Sequence, residues 1–392
     1  MRRLILLLVL ILLLLTSCWS SQELDDTALV QGVGMNVNSK DNLVHISVEI
    51  IKPTQHEGGE NQGSGQHIVL EKESETLFDG ARDLIRYAKR RLDFGHAKVW
   101  IMGQEMAKSG FIEYLDAIRR DQMLRLNSYL FVTKENPTDI LNTATLYEHI
   151  TAIELISALD QTQFVAEFTP IKIREFYKLI EGPVPNAYSP MISIQEVGDQ
   201  TITVIGGTAV IQDNQFVGEL NSQESMGLNW LLNRVEGGSI AISENKSEMI
   251  SMEITSSNTK TKPRLNGTQL DVDIEIFVEG TLSDNMTPFT ADEEFFNRIE
   301  KDVSKQVETD VRSTLDKLQK ELKTDITDIG IITHRKFPKQ WPDISEQWNE
   351  IFANATVNIH VTSKFTHEGL LKQNVHTNHK KPNNNHPFKF WK

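Results

Sequence analysis

The side chain with the most definite chemistry is Cys18, the one cysteine of the chain, which stands in Leu15-Thr16-Ser17-Cys18. Small residues before a cysteine at the end of an export leader resemble the bacterial lipobox. There the thiol receives a diacylglyceryl group and a signal peptidase cuts in front of it. The upstream residues agree: Arg2 and Arg3 make a basic start, and Leu4 to Leu15 is an unbroken apolar run of 12 residues. That run is shorter than the roughly 17 to 25 residues of a transmembrane helix and suits the core of a signal peptide. Residues 1–17 are expected to be removed, leaving Cys18 as the lipidated N-terminus. A single cysteine also excludes an intramolecular disulfide framework, a cysteine-rich zinc site and an iron–sulfur cluster.

The remaining groupings that could do chemistry are incomplete. Gly32-Val33-Gly34 follows an apolar run, but Val37 stands where a dinucleotide fingerprint needs its third glycine, so the pair reads as a strand bend. No phosphate loop and no Gly-x-Ser-x-Gly elbow occurs. His56-Glu57-Gly58-Gly59-Glu60 lacks the second histidine of a zinc helix, and His376, His379 and His386 fall in an Asn-rich basic tail. The acidic pairs Asp25-Asp26 and Glu293-Glu294 read as solvated charge and as a first helical turn. Neither a catalytic residue, a metal site nor a cofactor is expected. The segment Phe94-Gly95-His96-Ala97-Lys98 is denser in unusual residues than its neighbours: Gly95 is expected at a left-handed helix end, and His96 reads as a core or capping residue. Trp341 and Trp348, seven residues apart, read as core anchors.

Composition narrows the partners. Of 392 residues, 40 are Lys or Arg and 54 are Asp or Glu, a net charge of −14; loss of Arg2 and Arg3 with the leader leaves 38 against 54, or −16. Such a surface repels phosphate backbones, so nucleic acid is not an expected partner. An acyl anchor, not overall charge, has to hold the chain at a membrane. With 39% apolar and 24% charged residues, the composition is that of a globular protein and excludes a channel or transporter.

The elements that must position these residues follow from periodicity. Leu43 to Ile51 alternates like a half-buried strand, paired with Ala28 to Val37, and Gln55 to Gln66 reads as a loop. Leu77 to Leu92 has helical spacing capped by Thr76 and Asp79, ending near Gly95. A strand at Lys98 to Met102, a helix from Phe111 capped by Ser109 and a strand at Tyr129 to Thr133 follow, then two helices within residues 140–182. Gly182-Pro183, Pro185 and Pro190 form the best linker candidate. Beyond it, Asp213-Asn214 signals a hairpin, Gly227 to Val235 a short helix, and Leu270 to Val278 alternates strictly, as in antiparallel strands with one wet face. Phe296 to Leu322 outlines one long helix whose apolar positions, mostly four apart, drift around the axis. A last helix from Pro342 carries Trp341, Ile344, Trp348, Ile351 and Phe352 on one side, before a strand at Val357 to Val361 and a tail without periodicity. The expected class is α+β, with antiparallel and mixed sheets flanked by helices. The one boundary read from the residues lies near 185–200, and residues 372–392 are expected to form a disordered tail.

Read together, these patterns resemble the C-subunit lipoproteins of the spore germinant receptors of Bacillus and its relatives. The resemblance runs over nearly the whole mature chain. It rests on Cys18-Trp19 followed by Glu23-Leu24 and Ala28-Leu29-Val30-x-Gly32-x-Gly34; Phe94-Gly95-His96-x-Lys98; Gly103-x-Glu105-x-Ala107-x-x-Gly110; Arg120-Asp121 with Arg125; Gly207-Thr208-Ala209-Val210; and Asp328-x-Gly330 with Arg335-x-x-Pro338-x-x-Trp341 and Trp348. Ser20 after Cys-Trp, Ile211 after Ala-Val and the Asn/His-rich tail depart from the pattern. The resemblance implies a three-domain mixed α/β lipoprotein without enzymatic activity, on the outer face of the inner spore membrane. Its domains would be residues 18–190 (N-terminal), 200–260 (middle) and 261–371 (C-terminal, with the long helix). It also implies membrane-embedded A and B receptor subunits as partners. A solute-binding lipoprotein serving an importer has the same leader and anchor. That alternative needs two matching lobes around a cleft, which one boundary near 190 followed by antiparallel strands does not supply.

Overall fold

A computed structural model describes residues 26–38, 40–51, 67–120, 125–245, 248–287, 289 and 292–366. The expected leader 1–17, Cys18, the Gln55–Gln66 segment and the tail 372–392 lie outside them. Two sheets organise the described residues, and the class is α+β. The larger has nine strands: β1 (Thr27–Val37), β2 (Val44–Ile51), β3 (His67–Ser74), β4 (Arg91–Asp93), β5 (Val99–Gly103), β6 (Tyr129–Thr133), β7 (Asn186–Val197), β8 (Gln200–Gln212) and β9 (Gln215–Leu220). Its order is β3-β2-β1-β5-β6-β7-β8-β9, with β4 alongside the start of β1. The central strands β1, β5, β6 and β7 are parallel, and antiparallel hairpins finish both flanks. The second sheet is β10 (Ser239–Asn245), β11 (Glu248–Asn266), β12 (Gln269–Asn285) and β13 (Thr356–Phe365), antiparallel except for the β12–β13 pair.

Helices α1 (Leu77–Ala88), α2 (Gln104–Ser109), α3 (Ile112–Arg120), α4 (Pro137–Asn142), α5 (Thr151–Leu159) and α6 (Ile173–Ile180) cover the larger sheet, and α7 (Ser222–Leu231) leads to the second. The long helix α8 (Glu293–Asp316) lies against the second sheet and is followed by α9 (Ile329–Lys336), α10 (Trp341–Ile344) and α11 (Trp348–Ala353). One apolar cluster runs through both sheets, from Val30 and Val48 by way of Leu228 and Val311 to Val272 and Phe352. A smaller one, including Val99, Ile101, Leu141 and Leu155, lies under α4 and α5. Among the described residues no helix is long and apolar enough to cross a membrane.

Several local expectations need correction. Strand β2 is not half-buried, because α4 and α5 cover the face carrying Ser47 and Glu49, both 0% exposed. The helix after Thr76 ends at Ala88, where Lys89 takes the left-handed turn at φ 54°. Gly95 instead lies in a single 3₁₀ turn, Phe94–His96, without positive φ. In the motif-bearing segments positive φ belongs to Gly110 (φ 99°), Gly207 (φ 81°) and Asp328 (φ 62°). Ser109 ends α2 and does not cap the next helix. The Asn214 side chain, reaching from the β8–β9 turn, accepts from the Phe111 and Ile112 amides at 3.2 and 2.8 Å. Residues 140–182 hold helical segments beyond two, and the short helix begins at Ser222, where Asn221 and Glu224 form a capping box. The proline-rich linker candidate runs into β7, buried from Asn186 to Ile192 and paired with β6 and β8. The sheet therefore continues through it.

The drift of the apolar stripe in the long helix is absorbed in its last turns. Residues Lys317–Leu322 widen to π-helical geometry, and Lys323 closes them at φ 50°. More residues per turn suit the four-residue step from Leu318, 0% exposed, to Leu322, which packs partly buried against the same core. The helix expected from Pro342 is broken by a 3₁₀ turn, Ser345–Gln347, yet all five of its apolar side chains are buried.

Candidate functional site

The Phe94–Lys98 segment joins β4 to β5. Asp93 organises its turn, one oxygen accepting from the Gly95 amide at 2.8 Å and the other lying 3.3 Å from His96 Nδ1. Lys98 then stitches three strands: its amide donates to the Gln31 carbonyl of β1, and its carbonyl accepts from the Tyr129 amide of β6. The Ser128 hydroxyl donates to the Ala97 carbonyl at 2.6 Å. This backbone network holds an open cleft of about 240 Å³ between the turn, residues 125–129 and Lys172. His96, Lys98 and Arg125 are exposed, Lys172 is half-buried with Nζ 5.2 Å from the Tyr129 ring centre, and among the described residues the cleft wall carries no carboxylate. The arrangement can attract an anion.

Trp341 and Trp348 belong to a different place, the seam between the sheets. Their ring centres are 5.0 Å apart at 44°, and they are only 7% and 3% exposed. His334 stands 5.2 Å from Trp341 on an edge. The group that organises them is the buried carboxylate of Asp325. One oxygen accepts from the Thr327 amide and hydroxyl, and the other from the Gly330 amide at 2.8 Å and Trp348 Nε1 at 2.9 Å. A Cβ on Gly330 would come within 2.4 Å of Val184 and 2.6 Å of Trp348 Nε1, so only glycine lets α9 approach both. Asn186 of β7 donates to the Asp325 carbonyl and to Asn349, tying the large sheet to this hub. Asp328 next to it has φ 62°, and burial, reinforced by the Asp325 charge, pushes its carboxyl upward.

A second buried carboxylate, Glu49 on β2, accepts from the Thr151 and Ala152 amides at 2.7 and 2.9 Å and thereby caps α5 from across the sheet. His67 Nε2 is 3.7 Å away; burial raises the Glu49 carboxyl against the pull of those partners. The Gly32-x-Gly34 pair makes room for this layer. A Cβ on Gly32 would meet Leu141 at 2.8 Å and Glu49 at 3.1 Å, and one on Gly34 would meet Ser47 at 2.3 Å and Pro137 at 2.7 Å. Register slips between Val30 and Gly32, the bend the glycines suggested.

The motif residues thus fall into two groups, Phe94 to Lys98 at the end of the large sheet and the tryptophans at the seam. Arg125 and Lys172, which complete the first, were not legible as part of it, because residues far apart in sequence meet there only through the parallel pairing of β5 with β6 and an isolated antiparallel bridge from Lys172 to Tyr129. Asp325 had a faint signal in Asp-x-Thr followed by Asp-x-Gly, a turn pattern. Glu49 had one in being a lone acid within an apolar strand.

The sequence matches the profile described as spore germination protein N-terminal domain over residues 20–194, and that of the spore germination B3/GerAC-like C-terminal domain over 206–369. The chain belongs to the GerAC-like family of spore germination proteins. Among its relatives, spore germination protein KC of Bacillus subtilis (strain 168) is 25% identical, the match covering 86% of this chain and 88% of that protein. Spore germination protein B3 of the same organism is 22% identical, over 91% and 95%. The crystal structure of the GerBC protein shares the fold with a TM-score of 0.59, at 20% identity, over 85% of this chain and 97% of that one.

Proposed function

We propose that this GerAC-like chain is a non-catalytic lipoprotein subunit of a nutrient germinant receptor, needed for receptor assembly or signalling. In this reading Cys18 carries a diacylglyceryl anchor on the outer face of the inner spore membrane, and membrane-embedded A and B subunits are its partners. The observation that carries the proposal is that the two germination profiles follow each other along residues 20–369, so the resemblance is to a whole protein rather than to one module. The lipobox supports the anchor. The unlike sizes and topologies of the two sheets argue against the matched lobes of a solute-binding protein. The three-domain division, with boundaries at residues 190, 200 and 260, is also part of the proposal, and its units would share strands, since β7 runs through residue 190 and β11 through residue 260.

The test has two arms. Spores lacking this gene and redundant receptors should lose the response to one class of nutrient and keep germination by direct chemical triggers, and a tagged chain should bring down multispanning membrane proteins from solubilised spore membranes. Normal nutrient germination in that strain would end the receptor reading. Cys18→Ala should leave the precursor uncleaved, as seen by mass spectrometry of the N-terminus.

A further inference from the structure

We infer that the cleft between Phe94–Lys98, Arg125 and Lys172 is a second membrane contact, taking the phosphate of an anionic lipid headgroup. The first observation is its place. Strands β1, β5 and β6 are parallel and start from the same end of the sheet, where the cleft opens: Gly32, Val99 and Tyr129 are level, and Thr27 lies five residues further toward that end. Cys18 is eight residues before Asp26, a reach of at most about 29 Å at roughly 3.6 Å per residue. An anchor on Cys18 therefore keeps this end within one short tether of the bilayer. In this respect the inference rests on the lipidation of Cys18.

The second observation is charge. The chain as a whole is strongly acidic, yet this end gathers cations. Lys98, Arg125 and Lys172 line the cleft, Lys89 and Arg90 lie in the turn before β4, and Arg91, its first residue, pairs with Thr27. Against these stand Asp26 and an Asp93 already engaged by the Gly95 amide and His96. Orientation follows from combining the two. A tether alone lets the body tumble, whereas attraction of this end and repulsion of the acidic remainder by an anionic surface both turn the cleft toward the lipid. Each Lys or Arg held near such a surface gains roughly fivefold in affinity, and the tether converts this weak binding into an intramolecular contact at high effective concentration. The family motif would then serve as a headgroup cradle whose frame is the Asp93 and Ser128 network.

The single cysteine makes the test direct. The mature chain, coupled at Cys18 to a maleimide phospholipid, is placed on vesicles of phosphatidylcholine alone or with phosphatidylglycerol, and lysine acetylation is followed by mass spectrometry. Lys98 and Lys172 should react at least fivefold more slowly on the anionic vesicles, with Lys262 on β11 unchanged and the protection lost in 1 M salt. The triple variant Lys98→Glu/Arg125→Glu/Lys172→Glu should leave anionic vesicles for acceptor vesicles at least tenfold faster than the parent, and neutral vesicles at the same rate. If that variant misfolds, the acetylation pattern decides. Equal labelling of Lys98 on both vesicles overturns the inference, as does equal protection by millimolar glycerol phosphate on neutral vesicles, which would assign the cleft to a free phosphate compound. Because the coupling is chemical, these results are independent of whether Cys18 is lipidated in the cell, which N-terminal mass spectrometry reads separately.

Discussion

Strand β5 of the large sheet is buried at every position from Val99 to Gly103, whereas along β12 of the second sheet buried Leu270, Val272, Ile274, Ile276 and Val278 alternate with more accessible neighbours. The large sheet is covered by helices on both faces and accommodates polar groups inside: Ser47 and Glu49 are fully buried, and Glu49 is satisfied by the first amides of α5. The second sheet rests one face on α8 and leaves the other wet, where Lys262–Glu275 and Arg264–Asp273 pair across strands. A sheet enclosed on both sides needs side chains matched in size on each, and tolerates little change on either. A sheet with one wet face constrains only every second residue. Mutational sensitivity should differ accordingly.

The largest effect is expected where the two regions are joined. Trp348→Ala removes a ring that fills the seam and leaves Asp325 without one of its donors, so unfolding free energy should fall by about 3 to 5 kcal/mol. Chemical denaturation would measure it, and a loss below about 1 kcal/mol would mean the seam contributes little. Next comes Gly34→Val within the enclosed sheet, which forces side-chain volume against Ser47 and Pro137 and should cost about 1 to 3 kcal/mol. An unchanged melting temperature would show that α4 lifts freely and that the enclosure is loose.

The seam also sets a pH dependence. Burial raises the Asp328 carboxyl from its ordinary value of 3.8, so its neutral form is favoured by folding. The corresponding stability is fully present below that ordinary value and is lost as pH rises through the folded one. Asp328→Asn keeps a residue suited to the left-handed conformation and stays neutral. The variant should therefore gain on the parent as pH rises from 4 to 8, read as the difference between their melting temperatures. A constant difference would mean that Asp328 is solvated. The smallest effect is expected on the wet face: the cross-strand pair of Arg264 and Asp273 is open to solvent, and exposed pairs add little. Arg264→Ala should leave melting within measurement scatter, and a drop as large as that of Gly34→Val would break the contrast between the sheets.

Legibility followed the same division. The period of two in Leu270 to Val278, the hairpin at Asp213-Asn214, now seen with φ 48° and 70°, and the long helix were all readable, because a wet face or a tight turn imposes a local pattern. Strand β7 was hidden by Pro183 and Pro185 just before it and by Pro190 within it, where the register shifts between Pro190 and Ile192. Strand β2 was recognisable as a strand, but its second buried face was not, because Ser47 and Glu49 are polar and only α5 makes Glu49 an interior residue. The tryptophans were legible as anchors, while the carboxylate that orients Trp348 lies 23 residues away in the chain.

By itself the sequence determined what depends on neighbouring residues alone: the apolar run that ends at the lipobox-like Leu15-Thr16-Ser17-Cys18, the acidic balance, the amphipathic periods and the ordered motifs of the GerAC-like family. Tertiary structure decided what depends on residues brought together from afar. It buried Glu49 under α5, closed the Asp325 hub around Trp348, gave the cap of α3 to Asn214, and gathered Lys98, Arg125 and Lys172 around one cleft. Periodicity reports how one segment meets solvent. It carries no information about which distant segment will cover it, and parallel strands, whose partners are always distant, are where that limit matters most.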